Sequence, residues 1–128
     1  MSPDVTYLLY SVILCFVQVL IAATGANTRL GLPALAGNRE GLAEIKGWAG
    51  RARRAHLNMI ENLVLFASLV LIAAVAGKAN ATTAMGAMIF FWARVAYAII
   101  YLIGIPWLRT LAWAVSVVGM AMIVSVLL

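Results

Sequence analysis

Residues 7–26 form twenty consecutive positions without a charged side chain, long enough to cross a bilayer once as a helix. The preceding residues contain Asp4 and no Lys or Arg, so the run reads as a retained span rather than a secretory leader. Residues 27–53 are the one polar stretch of any length. Gly31, Pro33, Gly37, Gly41, Gly47 and Gly50 interrupt it, which predicts a loop with at most short helical pieces. A second helix is expected to begin near Gly50 or Arg51 as an amphipathic segment and to become fully apolar from Leu63 to Ala76. After a short turn, a third apolar run follows from Ala84 to Ile103, broken once by Arg94 and closed by Gly104, Ile105 and Pro106. A fourth run reaches Leu128, with Trp107 and Trp113 near its start as interface anchors. The expected architecture is a single all-α, four-transmembrane-helix bundle over residues 1–128, with spans at about 6–26, 54–76, 84–103 and 110–128.

Composition agrees with lipid as the solvent. Hydrophobic residues make up 66% of the chain and charged residues 10%, against about 45–50% and about 25% in soluble domains. The net charge of +5 does not point to nucleic acid, because the basic residues flank apolar runs rather than line an exposed helix. Arg29, Arg39, Lys46, Arg51, Arg53 and Arg54 separate the first two spans, and Arg109 the last two; Lys78 alone lies on the other side. The excess of positive charge places both basic connections in the cytoplasm and both termini outside. Cys15 is the only cysteine, so neither an intrachain disulfide nor a thiolate metal site can form.

Charge inside a span costs about 2.5–3.5 kcal/mol per residue at a helix centre, so Glu61 and Arg94 call for a function. At about 100° per residue, Arg51, Arg54, Asn58, Glu61 and Asn62 share one stripe about 100° wide. Arg94, Tyr97 and Tyr101 share another on the third span. Both stripes lie toward the cytoplasmic ends of their helices and are expected to meet at one depth. Arg109 and Thr110 open the fourth span, where the helix dipole favours an anion. Four arginines against Glu61 leave an excess positive charge of about three, which suits a small zwitterionic peptide rich in carboxylate. The plainer alternatives are a buried register pair between Glu61 and Arg54 or Arg94, and packing roles for both tyrosines. Arg53 and His56 fall off the stripe and read as interfacial residues.

The run from Arg51 to Asn62, Arg-Ala-Arg-Arg-Ala-His-Leu-Asn-Met-Ile-Glu-Asn, resembles the signature of the MAPEG family, the membrane-associated proteins of eicosanoid and glutathione metabolism. The likeness continues in Arg94-Val95-Ala96-Tyr97-Ala98-Ile99-Ile100-Tyr101 and in Arg109-Thr110-Leu111-Ala112-Trp113, and so covers nearly the whole chain. The short chain looks more like a bacterial member than a eukaryotic eicosanoid synthase, which implies a bacterial inner membrane. The resemblance implies a homotrimer that binds glutathione between subunits near the cytoplasmic face. Arg54, His56, Asn58 and Glu61 would come from one protomer, and Arg94, Tyr97 and Tyr101 from its neighbour, with Arg29 a weaker match to a further binding arginine. Arg51 joins this set from its place on the stripe. Arg109 matches the arginine that activates the thiol, Thr110 stands beside it as a hydroxyl donor to the sulfur, and no metal is implied. Two positions depart from the pattern: Met59 replaces a common acidic residue, which argues against prostaglandin-type isomerisation, and Leu65 replaces a common proline.

The expected activity is that of a membrane glutathione transferase with peroxidase activity, a detoxification chemistry. Glutathione is the co-substrate, and a hydrophobic electrophile or lipid hydroperoxide from the membrane lipid is the second substrate. The alternatives are a non-catalytic protein that binds glutathione or another anionic thiol, and a small efflux transporter. The transporter is disfavoured because the first span has no acidic residue and Glu61 sits among arginines.

Overall fold

The computed structural model describes all 128 residues and consists of helices without strands. These are α1 (Pro3–Leu30), α2 (Leu32–Ala36), α3 (Gly47–Val75), α4 (Ala81–Ile103) and α5 (Pro106–Leu127). All but α2 are long and apolar enough to cross a membrane. Each lies around an expected span but exceeds it at one or both ends. The 28 residues of α1 measure about 42 Å at 1.5 Å per residue, more than the hydrocarbon thickness of about 30 Å. Its last turn, including Asn27, Thr28 and Arg29, is therefore helix that emerges from the apolar layer, not the loop expected from its polarity. Likewise α3 starts at Gly47, before the position expected, and α5 starts at Pro106. Of the expected loop at 27–53, only the segment around α2, up to Lys46, is outside the long helices.

The ends are set by local chemistry. Ser2 caps α1, accepting from the Val5 N–H at 3.4 Å, and Gly31 ends it at φ +83°. Asn80 caps α4 by accepting from the Thr82 and Thr83 N–H groups at 3.0 Å, and Thr83 Oγ1 accepts from the Asn80 N–H at 2.8 Å. Removing this reciprocal cap with Asn80→Ala is expected to lower stability by about 1 kcal/mol, measured as a shift in thermal unfolding of the detergent-solubilised protein. Gly104 stops α4 in the left-handed conformation, and Pro106 opens α5 two residues later.

α4 packs most extensively on α5, while α1 packs on α3 and α4 and does not reach α5. One core joins Leu8 and Cys15 of α1 to Phe66 and Val70 of α3, Phe90 of α4 and Ile123 of α5. The Phe66 and Phe90 rings stack at 3.9 Å between centroids. Toward the basic connections a second, smaller core joins Ala55, Tyr97, Tyr101 and Ala112. The start of α3, the end of α4 and the start of α5 thus converge at one end of the bundle.

Candidate functional site

Both expected polar stripes meet at that basic end. Arg94 Nη2 donates to Asn58 Oδ1 at 2.8 Å, and Asn62 Nδ2 holds the Asn58 amide from one turn on, donating to its Oδ1 at 3.2 Å and its backbone carbonyl at 2.8 Å. The Arg94 guanidinium lies 4.1 Å from the centre of the Tyr97 ring. One turn toward the basic connections, Arg54 Nε donates to the Tyr101 hydroxyl at 3.2 Å. Arg109, from the first turn of α5, stands 4.4 Å from the centre of the same ring. The two tyrosines meet edge to face, 5.5 Å apart. Arg51 closes the end of the cluster by donating to the Leu102 carbonyl at 3.0 Å.

Three of these arginines donate to an amide, a phenol and a backbone carbonyl; none of these acceptors is a carboxylate. Glu61, the one acid on the stripe, is exposed. The register pair considered for Glu61 is therefore not what the helices build: Arg94 reaches Asn58 instead. Arg94 is 1% exposed, and its Nε and Nη1 have no hydrogen-bond partner. Buried cations are ordinarily paired, and buried N–H groups ordinarily bonded. A guanidinium with free donors, near further guanidinium groups, has the chemistry to hold an anion.

The family model for MAPEG matches residues 7–128, nearly the full chain. The chain belongs to the MAPEG family. That family includes glutathione transferases and related members, and it is a family of membrane proteins. No curated protein and no solved structure gave a match.

Not every residue of the MAPEG signature joins the cluster within the chain. His56 is turned from the Arg94–Asn58 contact and lines a cavity of about 670 Å³ with Arg39, Glu44, Arg53 and Arg54 of the cluster, and its Nδ1 is buried without a partner. Arg29 ends α1 with its guanidinium against Gly47, at the start of α3. Thr110 is exposed, and its hydroxyl donates to the Pro106 carbonyl at 3.3 Å. The Arg109 N–H is likewise bonded, to the Ile105 carbonyl at 3.3 Å, so Arg109 faces the cluster through its side chain alone. Sequence reasoning did not anticipate the hold of Asn62 on Asn58 or the Arg51 bond to Leu102. The shared stripe was the available signal for Asn62, four residues from Asn58.

Proposed function

We propose that this MAPEG protein is a membrane glutathione transferase with peroxidase activity, and that the arginine cluster binds the glutathione carboxylates. The buried Arg94 guanidinium, with two donor groups unpartnered and no acid brought to it, carries this reading. A carboxylate supplies the counter-charge and an acceptor that the Arg94 guanidinium lacks. Arg54 and Arg51 extend the positive surface toward a second carboxylate, Asn58 offers an amide, and the exposed Glu61 accepts from the ammonium group. His56 stands on the face of α3 that lines the larger cavity, beside Arg54, and Arg29 against the start of the same helix. In a homotrimer a neighbouring copy brings that face against the cluster, so the site is completed between subunits.

Arg109 performs the activating step. A free cysteine thiol has a pKa of about 8.5, and its nucleophilic form is the thiolate. The guanidinium beside Tyr101, at the positive end of the α5 dipole, stabilises the sulfur anion after the proton leaves to water. The sulfur then bonds to an electrophilic carbon, and the displaced group leaves with its electron pair. With a lipid hydroperoxide, two glutathione molecules are oxidised to the disulfide, and the hydroperoxide is reduced to the alcohol and water. The excess of Lys and Arg in the basic connections supports a reading in which this site faces the cytoplasm from a bacterial inner membrane.

Titrating the purified protein with glutathione near neutral pH is expected to give a saturable thiolate band in the ultraviolet difference spectrum. Arg109→Ala is expected to remove the band and the turnover while calorimetry still shows glutathione binding. Unchanged turnover in Arg109→Ala would falsify its role. Binding without a band in the native protein would favour a non-catalytic thiol binder.

A further inference from the structure

Beside the arginine cluster, on the flank where α1 packs, α1, α3 and α4 enclose a crevice of about 240 Å³. Its walls include Val17, Gln18 and Ile21 of α1, Ala55 of α3, and Ala98 and Ile99 of α4. Nine of its ten lining residues are hydrophobic; Gln18 is the exception. Val17, Ile21 and Ile99 are 44%, 37% and 56% exposed, so the mouth opens on the outer surface of the bundle. Small side chains leave the hollow: Ala52, Ala55 and Ala98 all line it.

Gln18 is 7% exposed, and its Oε1 is buried without a hydrogen-bond partner. It stands eight residues before the end of the charge-free run at Ala26, about 12 Å along the helix, well inside the hydrocarbon. Water is not at hand there to satisfy an amide, and a buried acceptor without a donor is costly. Gln18 is therefore the one lining residue with an unmet hydrogen-bonding group, and the rest of the wall offers only apolar contact.

We propose that this crevice binds an apolar, bilayer-dissolved molecule carrying a hydroxyl group, of the class of alkylphenols and long-chain alcohols, held by a hydrogen bond to Gln18. A hydroxyl both donates and accepts, so it satisfies the amide whichever way its O and N are turned. A charged ligand finds no counter-charge among the lining residues, and a plain hydrocarbon leaves the amide unpaired. An apolar cavity of about 150 Å³ holds benzene, so this larger one admits an alkylphenol or the first carbons of a long-chain alcohol. Ala55, in the wall, also packs against Tyr97 and Tyr101, which places the occupant one side chain away from the arginine cluster. The site stands whether or not that cluster binds glutathione.

The test is photolabelling of the full-length protein in lipid nanodiscs with a diazirine-bearing octanol, with labelled positions mapped by mass spectrometry. Labelling is expected to concentrate on the α1 and α4 residues of the crevice and to be competed by decanol but not by decane. Gln18→Leu is expected to weaken it about fivefold, the value of one net hydrogen bond. Ala98→Phe, which fills the hollow and keeps the amide, serves as a second variant should Gln18→Leu fail to fold, and is expected to abolish labelling. Even labelling along all lipid-facing positions, insensitive to decanol and to both variants, overturns the proposal. Equal competition by decane overturns the hydroxyl requirement, and cross-linking of this face to a second copy shows a subunit contact in place of a ligand site.

Discussion

Replacing Arg94 by methionine is expected to abolish glutathione binding and to leave the bundle folded and at least as stable as before. In the protomer the Arg94 side chain is 1% exposed and spends one of its nitrogens on Asn58, while two others bond to nothing. Its remaining compensation is the face of Tyr97 at 4.1 Å, a cation–π contact worth about 2 kcal/mol when desolvated. Charge at a helix centre costs about 2.5–3.5 kcal/mol on insertion scales, so the empty site roughly breaks even. An apolar side chain of similar length removes both terms and fills the same space, and such exchanges are commonly neutral or stabilising. The ligand has no such substitute. Losing one partner of a buried charge pair costs about 3–5 kcal/mol, or about 10²–10⁴ in affinity. Arg94→Lys keeps the charge but not the planar fork, and is expected to fall between the two. Calorimetric titration beside thermal unfolding separates the roles: a variant that loses stability and keeps its affinity shows Arg94 to be a structural residue.

The stripes containing Arg94 and Asn58 were legible in the sequence because helical periodicity is local and lipid makes every misplaced charge conspicuous. Which residues pair across helices was not. The stripe offered Glu61 as the natural partner for an arginine, yet the axial offset between α3 and α4 brings Asn58 to Arg94. That offset is fixed by packing at a distance, including the stacked Phe66 and Phe90 rings, whose match no wheel reveals. The four spans were readable from hydropathy, whereas the helix ends were not. Hydropathy reports where lipid stops, and hydrogen bonding continues past that point through Asn27 to Leu30. A third inward-facing stripe went unseen for the opposite reason. Asp4, Ser11, Cys15 and Gln18 are all buried, at spacings that follow one helix face, but they are dispersed through a first helix that carries no charge between Asp4 and Arg29. Spacing, not charge, was the signal there.

Gly119→Leu is expected to destabilise the protein by about 3 kcal/mol or more, the upper end of overpacking effects, and to remove activity at a site it does not touch. α4 and α5 approach through Gly86 and Gly119, the small-residue contact that lets transmembrane helices pack backbone to backbone. A Cβ on Gly119 meets the Gly86 carbonyl oxygen at 2.6 Å and the Phe90 nitrogen at 2.9 Å, and one on Gly86 meets the Gly119 carbonyl oxygen at 2.5 Å. These are backbone atoms of hydrogen-bonded helices, so no rotamer change relieves the clash and the helices themselves must part. α5 moves as a rod, and Arg109 lies ten residues nearer its start, about 15 Å along the axis. Tilting or sliding that rod pulls the guanidinium from Tyr101, 4.4 Å away, and with it the group assigned to stabilise the thiolate. Gly119→Ala adds the same Cβ without the branched end, and is expected to show a smaller loss with the same sign. Thermal unfolding in detergent, read beside the thiolate band, tests both links. Native stability in Gly119→Leu shows that the crossing has room to spare, while lost stability with an intact band shows that the position of Arg109 does not depend on it.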